Sequence, residues 1–495
     1  MKINGVIKDP DERIKVLNEL SLKCAQKYIS TQTGYLHYCY HQSEEGAHLT
    51  IPTYENILYI YVLLKTKTFE NIAESKKMLQ NILHFQAESG NFPVYLHQFP
   101  HCNDRLLGLE LLVPLYHICS QFKLVLGDHL NLTLKNAVIK LLKFCISSGM
   151  EKDLPYCKKI SLGVLVNTFG NLFKIDEFIE NGNSFLKEIE EDSFVVEWFA
   201  PETRSSILTL FQLNNPVFTH LIWKNFWNFI QNTYDSSTGS YVGPSINSYQ
   251  FEYEPEYSIA DFHYSAITGA IPTRLCNLRI IELSACLIQP YHESVTLNET
   301  LMDTYISENK NWGYKKSLNY SLSYFQAPLD KEDCFWKGVV PFRMSWGTMD
   351  HLYSFISQGG NYRTLEVDIQ KNHIILEYQL PKEVDLEDKE MKKEVIFSID
   401  QNINTEITIQ NIKATTFKLQ ETVKVVSENI TFLLNFFLIE GDGEFFGHIM
   451  PGNRVSQIAL KNENRFNAYD WLIFLRTLRR TENCRIGLKI CVKNE

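Results

Sequence analysis

The spacing of apolar residues changes once along this chain, and that change limits what the chain can fold into. Up to about residue 290 the spacing is helical: Leu134, Ala137, Val138, Leu141, Leu142 and Cys145 recur every three or four positions and lay one stripe along one face. Ile14, Leu17, Leu20 and Cys24 follow the same rule, as do Leu109, Leu112, Val113 and Tyr116. So do Trp223, Phe226, Trp227 and Ile230, and then Leu278, Ile281, Ala285 and Ile288. Pro114 falls inside one stripe and predicts a kink there. After about residue 300 the period is two. Leu365, Val367 and Ile369 alternate with Glu366, Asp368 and Gln370; Leu376, Tyr378 and Leu380 with Glu377 and Gln379; and Ile486, Leu488, Ile490 and Val492 with Gly487, Lys489, Cys491 and Lys493.

A chain of 495 residues is too long for one core. The spacing predicts a helical domain over 1–295, built of successive hairpins in a solenoid or a closed toroid, and an antiparallel β-sandwich over 296–495. The charged run Val384 to Glu394 reads as a solvated hairpin loop.

Composition narrows the partners. A net charge of −10 without a Lys/Arg block gives no footprint for nucleic acid. The longest apolar runs, such as Ile430 to Ile439, are too short to cross a bilayer, so no membrane partner is expected. Eleven cysteines stand singly with no CxxC, and the first twenty residues lack the apolar stretch of an export signal, so a reducing, cytoplasmic setting is expected.

Two loops carry the side chains that do chemistry. "NFPVYLHQFPHCNDR" offers His97, His101, Asn103, Asp104 and Arg105 among Phe92, Tyr95 and Phe99. These residues can hold and deprotonate a ligand; equally, Asp104 or Asn103 can cap the next helix while the rings fill a seam. His97, His101, Cys102 and Asp104 are all zinc-ligand types, but their spacing matches no zinc pattern, and no cofactor is expected. The second loop, "YVGPSINSYQFEYEPEYSIADFHYS", sets Tyr241, Tyr249, Tyr253, Tyr257 and Tyr264 among acids and His263, either as a sugar-binding rim or as an interdomain seam. In the β half, Trp336, Arg343, Trp346, Asp350 and His351 read mainly as buried core, with Arg343 or His351 a candidate cleft residue. "GDGEFFGH" reads as a turn, and "EWFAPETR" as a buried Trp198 ahead of a helix begun by Pro201. No nucleotide motif, nucleophile elbow or HExxH occurs.

The order of helices then strands resembles polysaccharide lyases of the heparinase II/III and chondroitin/hyaluronate lyase kinds. "STGSYVGPSINSY" is similar to a Thr-Gly, Gly-Pro, Tyr run in such toroid-and-sandwich proteins, with Ile246 and Asn247 where that run carries Ser-Arg. The resemblance implies a carbohydrate ligand and β-elimination from an acidic poly- or oligosaccharide. It assigns catalysis to His101, Asn103, Tyr249, Tyr257 and His263, and substrate binding to Tyr95, His97, Arg105, Asn247 and Arg343. A glycosidase using Asp104 with Glu256 or Asp261, and a non-catalytic carbohydrate or protein binder, remain open alternatives.

Overall fold

The computed structural model describes residues 9–38, 50–151, 154–187, 196–213, 215, 218, 221–235, 238, 240–246, 312–317, 319–326, 339–348, 351–370, 373–382, 393–401, 404–455 and 469–494. Among them the helices are α1 (Pro10–Ala25), α2 (Thr53–Thr66), α3 (Phe69–Leu83), α4 (Leu107–Gln121), α5 (Lys123–Leu126), α6 (Asp128–Glu151), α7 (Tyr156–Phe173), α8 (Asp176–Lys187), α9 (Pro201–Phe211) and α10 (Leu221–Thr233). The expected stripe of α6 is buried at every position from Leu134 to Cys145. Pro114 lies inside α4, which continues past it to Gln121. The stripe at Leu278 to Ile288 lies outside the described residues.

Neighbouring helices meet as hairpins. In α7 and α8 the contacts run antiparallel. A Cβ on Gly163 would meet Leu186, and one on Gly182 would meet the backbone of Asn167 at 2.5 Å. Asn167 also anchors a buried polar knot: its Nδ2 donates to Asn183 Oδ1 (2.7 Å), and its Oδ1 accepts from Asn215 Nδ2 (3.0 Å).

Strands begin earlier than the alternation alone predicts. They are β1 (Tyr234–Asp235), β2 (Ser240–Tyr241), β3 (Ser245–Ile246), β4 (Trp312–Lys316), β5 (Ser321–Phe325), β6 (Val339–Val340), β7 (Phe342–Thr348), β8 (His351–Gly360) and β9 (Thr364–Ile369). The rest are β10 (Ile374–Gln379), β11 (Lys393–Ile399), β12 (Glu406–Ile409), β13 (Thr416–Lys418), β14 (Thr422–Ser427), β15 (Ile430–Glu440), β16 (Gly443–Val455), β17 (Tyr469–Arg480) and β18 (Arg485–Asn494). Two large antiparallel sheets result, ordered β12-β14-β15-β18-β10-β9 and β13-β16-β17-β11-β8-β7-β5-β4. Short pairs β1-β2 and β3-β6 complete the set among the described residues.

The two sheets pack face to face. Trp346 of β7 meets Phe432 of β15 at 4.9 Å, and Phe397 of β11 meets Phe436 of β15 at 6.1 Å. Trp346 is therefore core, as is Trp198 in the helical unit. Packing divides the chain into a helical unit and a sheet unit. The sheet unit takes in the stretch from Ile230 to Ile246, well before residue 295, so β1 to β3 belong to it.

One charged segment is corrected. Lys393 and Glu394 open β11 instead of ending a solvated loop. Glu394 is buried, and its Oε1 accepts from Thr477 Oγ1 (2.7 Å) and from Arg480 Nε (3.1 Å). The guanidinium and the hydroxyl take the place of water around that oxygen. In "GDGEFFGH" the turn is confined to Gly441, at φ +88°, and Asp442; β16 starts at Gly443.

Candidate functional site

The loop joining α3 to α4 is fastened before it displays anything. Thr53 N donates to Val94 O (2.9 Å) and Leu96 N to Ile51 O (3.0 Å), which ties its middle to the start of α2. Gly90 sits at φ +95°, and a Cβ there would strike Lys140 O of α6 at 2.4 Å, so only glycine fits. Gln86 Nε2 donates to Gly90 O and to Ala137 O, each at 2.8 Å, clamping the loop to α6. Asn91 is fully buried; its Nδ2 donates to Cys102 O (3.2 Å) and Asp104 O (2.6 Å) and thereby draws the far end of the loop back.

On this held backbone the polar side chains face outward. His97 is exposed and stacks on Tyr95, with centroids 5.8 Å apart and planes 11° apart. Tyr95 itself is 5% exposed, so it acts mainly as a floor under the imidazole. Phe99 is 41% exposed and meets Phe85 edge-on at 5.8 Å. His101, Asn103, Asp104 and Arg105 are exposed as well. Asp104 has a structural job: its Oδ1 accepts from Leu106 N (2.8 Å) and Leu107 N (3.1 Å) and closes the first turn of α4.

Burial pushes the Cys102 thiol up, against the pull of a backbone hydrogen bond at Ala87. Among the described residues no group of three or more His, Cys, Asp or Glu is placed to hold a metal. Nor is any described helix long and apolar enough to cross a membrane.

Arg343 is placed otherwise than in an open cleft. It is 5% exposed within the sheet unit, and its Nη2 donates to Tyr241 O (2.7 Å) and Gly243 O (3.0 Å). Tyr241 is buried too and donates to Pro244 O (2.8 Å). Lys316 Nζ donates to Tyr234 O in the same segment; burial pushes that ammonium down to about 8, against the pull of Asp235. Asn247, Tyr249, Tyr257 and His263 lie outside the described residues.

Sequence reading missed Asn91 and Gln86, whose partners lie along a folded path and not at a fixed spacing. It also missed His117 in α4. That ring is 1% exposed, stacked on Tyr61 at 5.6 Å, with no partner at Nε2. Burial and then the charge of Lys65 push it down to about 3, so it stays neutral.

No protein-family model and no curated protein matches the sequence. Solved structures do. A heparinase III structure aligns over 100% of this chain and 86% of its own, at TM-score 0.56 and 8% identity. A chondroitin AC lyase from Streptomyces coelicolor A3, in complex with chondroitin sulphate, aligns over 100% of this chain and 81% of its own, at TM-score 0.51 and 7% identity. The chain shares the fold of these polysaccharide lyases. At such identities the likeness concerns the course of the backbone, and the side chains of the α3–α4 loop must be judged on their own chemistry.

Proposed function

We propose that the protein acts on carbohydrate, as a β-eliminating lyase on an acidic poly- or oligosaccharide, with its helical unit forming an (α/α) toroid. The observation that carries this reading is the pinned α3–α4 loop, which turns His101, Asn103 and Arg105 to solvent in a chain with a lyase fold. Asn103 and Arg105 take up the charge of a uronate carboxylate, which makes the neighbouring C–H acidic. His101, with His97 as second imidazole, removes that proton. The carbon–carbon double bond forms as the glycosidic C–O bond breaks, and the leaving oxygen receives a proton. Tyr249, Tyr257 and His263 are proposed to complete the acid–base set, with Tyr95 and Asn247 supporting the sugar.

Hydrolysis is the weaker reading, because Asp104 already spends one carboxylate oxygen on α4. Incubation with uronate-containing glycans should produce the absorbance of an unsaturated uronide. His101→Ala should reduce that rate by about 10²-fold or more. Release of reducing ends without the absorbance would establish a hydrolase; binding with neither would establish a non-catalytic binder.

A further inference from the structure

The outer face of the six-stranded sheet carries side chains that neither the core nor the α3–α4 loop uses. In β15, Phe432, Leu434 and Phe436 are buried in the core, so Leu433, Asn435 and Phe437 point the other way. The register sets Phe437 opposite Gly487 of β18, and a Cβ on Gly487 would meet Phe437 Cζ, Cε2 and Cε1 at 2.3, 2.5 and 2.7 Å. Distances so nearly equal come from a ring lying across the glycine, not from one standing on its tip. Half-buried Phe437 is therefore a flat tile on the sheet. In the next row, Lys489 of β18 stands opposite Asn435, which in turn stands opposite Thr422 of β14. The row beyond joins Cys491, Leu433 and Lys424. Ring, first ammonium and second ammonium follow one another at about 7 Å per row. Neither Lys424 nor Lys489 forms an ion pair among the described residues. On the other side of the ring, Arg485 is held by Glu377 and Glu366.

We propose that this face is a second, non-catalytic binding site for an extended acidic polysaccharide, with one sugar ring seated on Phe437 and acid groups further along the polymer on Lys489 and Lys424. The tile is the first reason. An outward phenyl ring leaves apolar area in water, and the C–H face of a sugar covers it while the hydroxyls stay wet. Sign is the second: in a chain of net charge −10, two lysines on one patch attract an anion that the molecule as a whole repels. Spacing is the third. The tile and the second lysine lie about 14 Å apart, so the face grips a run of sugars and not a monosaccharide. A nucleic acid strand, with a charge about every 3.4 Å, would leave most of its phosphates unmatched there. The site rests on the reading of an acidic glycan as the ligand, but it adds no step to catalysis and uses no residue of the α3–α4 loop.

Affinity electrophoresis of the full chain, through gels holding chondroitin sulphate, alginate or uncharged dextran, reads binding whether or not a glycan is cut. The runs use the His101→Ala chain, so that the polymer stays intact. Retardation by at least one acidic polymer, and none by dextran, is expected. Adding Lys424→Gln together with Lys489→Gln should weaken that binding about tenfold. Adding Phe437→Ala should weaken it about fivefold, with circular dichroism checking the fold; the lysine pair, which leaves the ring in place, tests the site independently. A wild-type chain that releases no unsaturated uronide defeats the lyase reading and leaves this site standing, provided that retardation tracks the two lysines. Retardation that is absent with both acidic polymers, equal in dextran, unchanged by the lysine pair, or seen only with single-stranded DNA in the gel overturns the site.

Discussion

The α3–α4 loop and the 234–246 segment are both hung on buried polar side chains, but they spend those groups in opposite ways. Asn91 and Gln86 bond backbone carbonyls from inside the helical unit and leave the loop's imidazoles, amide and guanidinium outside. In the sheet unit the cations themselves do the fastening: Arg343 holds Tyr241 and Gly243, and Lys316 holds Tyr234. A neutral amide makes such bonds at a low desolvation cost and frees charge for a ligand; a buried cation is consumed by its own scaffold.

The comparison breaks first at Arg343. Replacing it with Ala strands two carbonyls and opens a void, and the sheet unit should lose about 3–4 kcal/mol in urea unfolding. If stability is unchanged, Arg343 is not a fastener, and a ligand role returns. Asn91→Ala should cost about 2–3 kcal/mol through its two lost bonds. It should also lower glycan turnover although Asn91 touches no ligand; unaltered turnover would mean the loop holds its shape without the latch.

Acid sharpens the contrast on the helical side. His117 takes its proton near 3 when folded and near 6.5 as a free side chain. Between those values the unfolded chain holds the extra proton, so stability is full above about pH 6.5 and falls by up to about 1.4 kcal/mol per unit of acidification. His117→Phe should flatten this part of the pH–stability curve; an unchanged slope would assign it to other groups. The smallest effect is expected for Asp104→Ala, about 1 kcal/mol from the first turn of α4. A much larger loss of turnover than of stability would show that Asp104 does more than cap.

How far these features could be read from sequence follows from how local they are. The α6 stripe and the alternation of β18 repeat many times, so packing agrees with them at Leu134 to Cys145 and at Ile486, Leu488 and Ile490. Asp104 was legible as a cap because its partners lie two and three residues ahead. Strands β1 to β3 are two residues each, too short to carry a period, which is why the strand region begins before the alternation does. Asn91 reaches Cys102 and Asp104 only after the chain has doubled back, and no spacing encodes that. Arg343 sits in β7, where Phe342 to Trp346 are all buried, so residue type alone could not separate fastener from ligand-binding group.

Because Thr53, Gln86 and Asn91 grip only main-chain atoms of the α3–α4 connection, the identities at 97, 101 and 103 are decoupled from those grips. Such a connection behaves as an interchangeable cassette. Selection, or a library randomised at those three codons, can exchange one recognition surface for another while the supporting framework goes on folding as before.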